Sequence, residues 1–370
     1  MVGPSRVGKT STLASMSKDL QVAVNNLQYH TTIPDELREI LRNFEKTQEK
    51  NDFKVDQQPI RIGTASNSPY EISLYPQGNN EERDIALRFI DVPGGWYSPP
   101  TQENPNPNYN EAKELLSQSI VSFWCIDCVS MIENNSKYHE ERNAPEYITN
   151  FYKDNVSLPK GHRIVFVLMR AETYIRDKKR GVEWLMGKGG EFDKHYGKCI
   201  SELKRTLNEI ECFVTYVETL GCVQFTYYSE KDDKVEAVYA LKGKEYDPKN
   251  CEVPALLAIE KSLQEAIIFY ENEANKVLEY FKKLKKGFFG WVIRLPLRLF
   301  GYDVNKHARA DDIVELIQNS RTVDPQVFPE ECKSHPFINA HIVRERLKNA
   351  KPKISHLVDV VKIDGRLRST

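Results

Sequence analysis

Eight residues near the start of the chain, Gly3-Pro4-Ser5-Arg6-Val7-Gly8-Lys9-Thr10, fit the spacing G-x-x-x-x-G-K-[ST] without a mismatch. The spacing has a physical meaning. Glycines let the backbone wrap closely around phosphate oxygens and aim its N–H groups inward, and the helix that follows adds the positive end of its dipole. Gly3, Ser5 and Gly8 belong to the wrap. Lys9 is spaced to meet the β- and γ-phosphates of a nucleoside triphosphate, and the Thr10 hydroxyl to ligate Mg²⁺, with Ser11 next to it. The competing reading is an ordinary glycine turn before a helix.

A second element, in the right order, favours the phosphate reading. Asp91-Val92-Pro93-Gly94 directly follows the apolar Phe89-Ile90. A carboxylate at a strand end suits the magnesium shell, and the Gly94 N–H suits a γ-phosphate contact. Lys9, Asp91 and Gly94 are therefore the candidate catalytic residues.

The rest of the chain reads as strands alternating with helices. Thr10 to about Leu20 is the helix opened by the loop, and 34–54 is a charged helical insert. Tyr70–Tyr75 alternates polar and apolar residues and, with Ile85–Ile90, predicts an antiparallel pair. Pro93–Pro107 predicts a long mobile loop. The apolar runs Ile120–Ile126, Ile164–Met169 and Cys212–Val217 predict buried strands, separated by helices around Glu111–Gln118 and Phe192–Ile210. This pattern predicts an α/β fold, a three-layer sandwich of the P-loop NTPase kind around a mostly parallel sheet. From Pro254 to Lys286, apolar residues recur at three- and four-residue steps, which predicts a long helix. The expected division is a nucleotide domain over 1–250 and a C-terminal helical extension over 251–370.

One feature fits poorly. Such a loop normally follows a central buried strand, yet only Met1-Val2 precede Gly3. The expectation is a first strand that is truncated, with the true start upstream, or one that is missing.

Composition narrows the partners. Lys+Arg at 52 against Asp+Glu at 53 leaves a net charge of −1, which gives no global reason to expect nucleic acid. Seven scattered cysteines, and opening residues that run straight into the loop, predict a cytoplasmic, thiol-reduced protein. The stretch 282–300, basic and aromatic around Phe288, Phe289 and Trp291, suits either peripheral membrane contact or, preferably, a buried connector.

The order of loop, hairpin and D-x-x-G resembles the Ras-like, translation-factor-related class of GTPases. In that class a switch threonine completes the magnesium shell; Thr64 is the best-spaced candidate, with Thr31 and Thr32 behind it. The class reads guanine with N/T-K-x-D at a strand end. This chain offers the degenerate Met169-Arg170-Ala171-Glu172, in which Arg170 replaces the stacking lysine and Glu172 the bidentate carboxylate. Glu218-Thr219-Leu220-Gly221 stands where the last base-contacting loop is expected. Because the match is degenerate, GTP and ATP both remain open as ligands.

Together GPSRVGKTS, FIDVPGGW, WCIDCVSMIE, the strand ending in R-x-E, VETLG and YDPKNCEVP resemble the double-GTPases of bacterial conflict and defence systems, over roughly residues 3 to 270. The resemblance implies a nucleotide-dependent switch acting on a protein effector. The chain departs from the Ras pattern after D-x-x-G, where Gly95 stands in place of a water-orienting glutamine. Slow hydrolysis is therefore expected, alongside two alternatives: a binding module without turnover, and an ATP-dependent protein. Arg6 is a weak candidate for a local cation. Cys125-Ile126-Asp127-Cys128 is read as a strand end and not as a metal site, with Asp127 capping that end near the phosphates.

Overall fold

A computed structural model of the chain describes residues 1–4, 7–25, 29–49, 69–77, 85–102, 105–154, 158–207, 209–231, 234–241, 246–286, 348 and 361–362. In chain order the elements are α1 (Lys9–Asn25), β1 (Tyr29–Thr32), α2 (Asp35–Glu49), β2 (Tyr70–Pro76), β3 (Ile85–Phe89), α3 (Tyr109–Ser117), β4 (Val121–Asp127), α4 (Cys128–Ile132), α5 (His139–Asn143), α6 (Pro145–Lys153), β5 (Arg163–Met169), α7 (Glu172–Ile175), α8 (Gly181–Met186), α9 (Glu191–Thr206), β6 (Glu211–Tyr216), β7 (Val223–Lys231), β8 (Lys234–Leu241), α10 (Val253–Lys286) and β9 (Val361–Lys362). A 3₁₀ turn, Glu133–Ser136, lies between α4 and α5.

The apolar runs become a parallel sheet because they can be buried on both faces. β4, β5 and β6 pair in parallel, and every residue of β5 is buried. Alternate side chains serve opposite faces. Trp124 and Ile126 of β4, Ile164, Phe166 and Leu168 of β5, and Cys212 and Val214 of β6 share one core cluster with residues of α3, α6 and α9. The intervening positions meet the other side, where Thr12 of α1 donates to the Met169 sulfur at 3.8 Å. The result is an α/β architecture with helices on both faces.

β1, β2 and β3 form a second, antiparallel sheet, in which Tyr70–Leu74 pair with Ile85–Phe89 as expected. The strand β1 was not anticipated from its short polar sequence. The two sheets meet at Met1–Val2. Val2 N–H donates to Phe123 O and Cys125 N–H to Val2 O, both at 2.8 Å; on the other side Val92 N–H donates to Met1 O at 2.9 Å, and the Met1 nitrogen donates to Ile90 O. The place of the first strand, expected to be missing or truncated, is thus held at these two residues by main-chain bonds on both sides.

The charged insert is α2, and its residues 50–54 lie outside the described ones. The chain forms two units, Met1–Lys261 with Leu357–Thr370, and Ser262–His356. Residues 251–261 and β9, which pairs antiparallel with β6, belong to the first unit. The helical extension expected over 251–370 therefore shares residues with it. In the second unit the described residues are 262–286 of α10 and Lys348. Inside the first, Arg163 is fully buried at the start of β5. It donates to Glu211 at 2.7 Å, to Glu260 at 2.7 Å and to Leu257 O at 2.8 Å, which ties α10 to the sheet.

Candidate functional site

The loop from Gly3 to Gly8 joins the sheet to α1. Gly3 has φ +147° and Gly8 φ +101°, conformations that side-chain-bearing residues rarely adopt. At Gly3 the constraint is also steric, since a Cβ there would lie 2.4 Å from Cys125 O. Helix α1 then begins at Lys9 with no acidic residue in its first turn, so its own side chains leave the positive dipole end unneutralised. The Lys9 ammonium is buried and donates to Gly3 O at 3.2 Å and Pro4 O at 3.0 Å.

The acidic residue at this helix start comes from 81 positions away along the chain. Thr10 Oγ1 donates to Asp91 Oδ2 at 2.6 Å, with both side chains buried. Asp91 reaches the loop because β3 ends beside Met1–Val2, the residues that lead into Gly3. The structure brings Gly3, Gly8, Lys9, Thr10 and Asp91 together; Ser11 lies half-buried in the first turn of α1.

The segment after Asp91, expected as a long mobile loop, carries a defined turn. Trp96 N–H and Ser98 N–H donate to Pro93 O and Gly95 O at 3.3 and 3.0 Å. The Asn106 side-chain amide then donates to three carbonyls of this turn, Gly95, Trp96 and Ser98, at 2.9, 3.1 and 2.7 Å. Tyr97 is buried edge-on against Trp124, with ring centroids 5.3 Å apart. Gly94 opens the turn, and Gly95 has φ +97° with open space where a side chain would be. Asn106 was not singled out in the sequence; an Asn in an Asn/Pro-rich loop carries no distinguishing local signal.

The base-side candidates lie on the ends of β5 and β6. Glu172 is buried at the start of α7. Burial lifts its carboxyl from the usual 4.5 to about 7, with the nearby Glu218 charge acting in the same sense and backbone hydrogen bonds from Glu172, Gly221 and Leu220 opposing. Glu218 is buried too and accepts from Arg176 Nε at 2.7 Å. Thr219 Oγ1 bonds Thr12 Oγ1 at 2.8 Å, and Ser15 Oγ donates to Thr219 O at 3.2 Å, so this loop is fastened to α1. Arg170 follows β5 with φ +60°. Its guanidinium donates to Tyr239 OH at 3.0 Å and Asp127 Oδ2 at 3.4 Å, and lies 5.3 Å over the Tyr239 ring. That engagement involves the hairpin β7–β8, which the strand prediction missed, although KVEAVYA alternates as a strand should.

Other expectations resolve variously. Asp127, expected to cap the end of β4 near the phosphates, is instead the N-cap of α4, accepting from Val129 N–H at 3.2 Å with its carboxylate beside Arg170. Cys125 and Cys128 are buried free thiols, pushed up by burial, Cys125 to about 12, which suits no thiolate chemistry. Thr31 is buried and Thr32 exposed within β1. Ser5, Arg6, Thr64 and 287–300 lie outside the described residues.

The donor set at the loop fits a hard cation and a polyphosphate. A hydroxyl and a carboxylate are oxygen ligands of the kind Mg²⁺ takes, and Lys9 with the glycine backbone suits phosphate oxygens. Among the described residues, no group of three or more His, Cys, Asp or Glu is arranged to hold a metal by itself, and no helix is long and apolar enough to cross a membrane. No protein-family model, curated protein or solved structure matches this chain.

Proposed function

We propose that the chain is a nucleotide-dependent switch of the P-loop GTPase kind, binding a nucleoside triphosphate with Mg²⁺ at Gly3–Thr10 and hydrolysing it slowly. The observation that carries this reading is the Thr10–Asp91 hydrogen bond, 2.6 Å long, at the N-terminus of the helix that opens with Lys9. Those two oxygens are the expected magnesium ligands, and their convergence from distant sequence positions is what the motif pair requires. The order of main-chain neighbours, β3, Met1–Val2, β4, β5, β6, supports the same reading.

In this reading Lys9 and the loop N–H groups bind the phosphates, while Thr10 and Asp91 hold the metal. The metal, when bound, would neutralise charge developing on the β- and γ-oxygens. Gly94 contributes a backbone donor toward the γ-phosphate. Arg170 and Glu172, with Glu218 and Thr219 next to them, form the base end; guanine follows from the resemblance to the GTPase class, and the degenerate R-x-E keeps ATP as the alternative. The partner of the switch is a protein effector, as the resemblance to double-GTPases implies.

Gly95 favours a second reading, binding without turnover. It has no side chain to orient water, and open space lies where a Cβ would stand. Fluorescent GTP and ATP analogues titrated with and without Mg²⁺, beside Lys9→Ala, test the proposal. Mg²⁺-dependent GTP binding lost in Lys9→Ala is the expected result. Preference for ATP would replace guanine in the reading, and no binding of either would overturn it. A single-turnover assay with bound GTP then separates slow hydrolysis from none.

A further inference from the structure

We infer that Asp127 and Tyr239 are positioning residues for Arg170, and that through them the β7–β8 hairpin is coupled to the base end of the bound nucleotide. The inference rests on the nucleotide-binding reading above.

The geometry begins at Asp127, whose side chain is 3% exposed. Besides capping α4, its carboxylate accepts from Ser130 Oγ at 3.0 Å and from Arg170 at 3.4 Å, and it lies 3.9 Å from Arg142 Nη1. Two arginines thus converge on one buried carboxylate, and each also holds the hairpin. Arg170 binds Tyr239 of β8 through both the hydroxyl and the ring face. Arg142 donates to Val235 O of β8 and lies 5.9 Å over the ring of Tyr228 in β7. Tyr228 in turn packs edge-on against Tyr138 at 4.6 Å and bonds Ser130 at 3.4 Å. Phe225 N–H donates to Thr173 Oγ1 at 2.8 Å, one residue past Glu172.

The hairpin is also joined to the phosphate side. It grows out of the Glu218–Gly221 loop, which is fastened to α1 through Thr219. Beyond its second strand Tyr246 returns to α1, where its hydroxyl bonds Ser15 Oγ at 2.6 Å. Both ends of the hairpin are therefore anchored on the helix that opens at Lys9, and its inner face is anchored on Arg170.

An arginine plane held from one side by a carboxylate and from another by a tyrosine is preorganised. A base that stacks on it need not order the side chain first. About a quarter of the Arg170 side chain (26%) remains exposed. Linkage makes the effect reciprocal: whatever affinity the docked hairpin adds for the base, the bound base adds to the docking of the hairpin. An effector gripping the hairpin would then change nucleotide affinity without touching the phosphates.

The test uses two ligands with Mg²⁺: GTP, and inorganic tripolyphosphate, which offers phosphates and no base. Calorimetry gives affinities for wild type, Tyr239→Leu and Tyr239→Phe, and hydrogen exchange follows residues 223–241. The expected results are hairpin protection raised by GTP and not by tripolyphosphate, and GTP affinity in Tyr239→Leu weaker by about tenfold with tripolyphosphate affinity within about twofold. Tyr239→Phe, which keeps the ring, should recover most of the loss; it also supplies the comparison should the leucine variant not fold. Equal weakening of both ligands, an unchanged GTP affinity, or equal hairpin protection by both would overturn the coupling while leaving the nucleotide site in place. Wild type that binds neither ligand would overturn the nucleotide reading and this inference together.

Discussion

Glu172→Gln probes the base end through a proton rather than a ligand. Glu172 is only 4% exposed, and burial, reinforced by Glu218, moves its ionisation from 4.5 to about 7. The unfolded chain releases this proton near the ordinary value and the folded chain only near neutrality. Stability contributed by the raised carboxyl is therefore full below about pH 4.5, falls as pH climbs, and levels off once pH passes about 7. At a little over 1 kcal/mol per pH unit, the loss between pH 5 and pH 8 comes to roughly 2–3 kcal/mol. Glutamine cannot ionise, so the variant lacks this slope. Urea unfolding of both proteins at steps from pH 5 to pH 8 gives the difference curve. Other shifted groups are common to both and cancel in it. Among them are Asp19, raised by burial to about 7, and His139 and His162, lowered by burial to about 4, whose stabilisation is lost as pH falls from 6.5 toward 4; His195 and the Met1 amino group are lowered by burial as well. The glutamine variant should gain roughly 2–3 kcal/mol on wild type between pH 5 and pH 8, whatever the offset at the starting pH. Parallel curves would show that Glu172 ionises alike in both states, and the account of its burial would fall.

Three further outcomes follow from the loop and its neighbours. Gly3→Ala forces a Cβ to within 2.4 Å of Cys125 O at φ +147°, and should cost about 1–3 kcal/mol of stability in thermal or urea unfolding; an unchanged midpoint would refute the close packing. Thr10→Val removes the hydroxyl from the buried Asp91 carboxylate and should destabilise by about 1–3 kcal/mol, while Thr10→Ser restores both stability and the Mg²⁺ dependence of nucleotide binding. Asn106→Ala releases three carbonyls of the Gly95–Ser98 turn, so amide exchange there should rise by tenfold or more, an order of magnitude taken from about 1–2 kcal/mol of lost hydrogen bonding; exchange equal to wild type would mean that Tyr97 alone holds the turn.

Much of the first unit was legible because its signals are local. The runs IVSFWCI, IVFVLM and CFVTYV announce strands by their high apolar content, each is followed by a polar residue, and the structure places strands there within a residue or two. The hairpin β7–β8 was legible in part only: KVEAVYA alternates, but the aromatic QFTYYSE also reads as a loop rich in tyrosine. The strand β1 carries almost no signal, since YHTT becomes a strand only by pairing with the edge of β2. Asn106 and Tyr239 escaped notice for the same reason, as each acquires its role from a partner far along the chain.

Residue order alone sets the phosphate-loop pattern and the alternation of strands and helices, because backbone freedom at glycine and apolar periodicity act over a few residues. The folded chain adds that Thr10 hydrogen-bonds Asp91 directly, that Met1–Val2 lies between two sheets, and that Arg170 is held by Asp127 and Tyr239. Those contacts span 81, 43 and 69 positions where side chains pair. They exist because the order and register of the strands bring chain segments side by side, and strand order is a property of how the whole core closes, which no local run of residues carries.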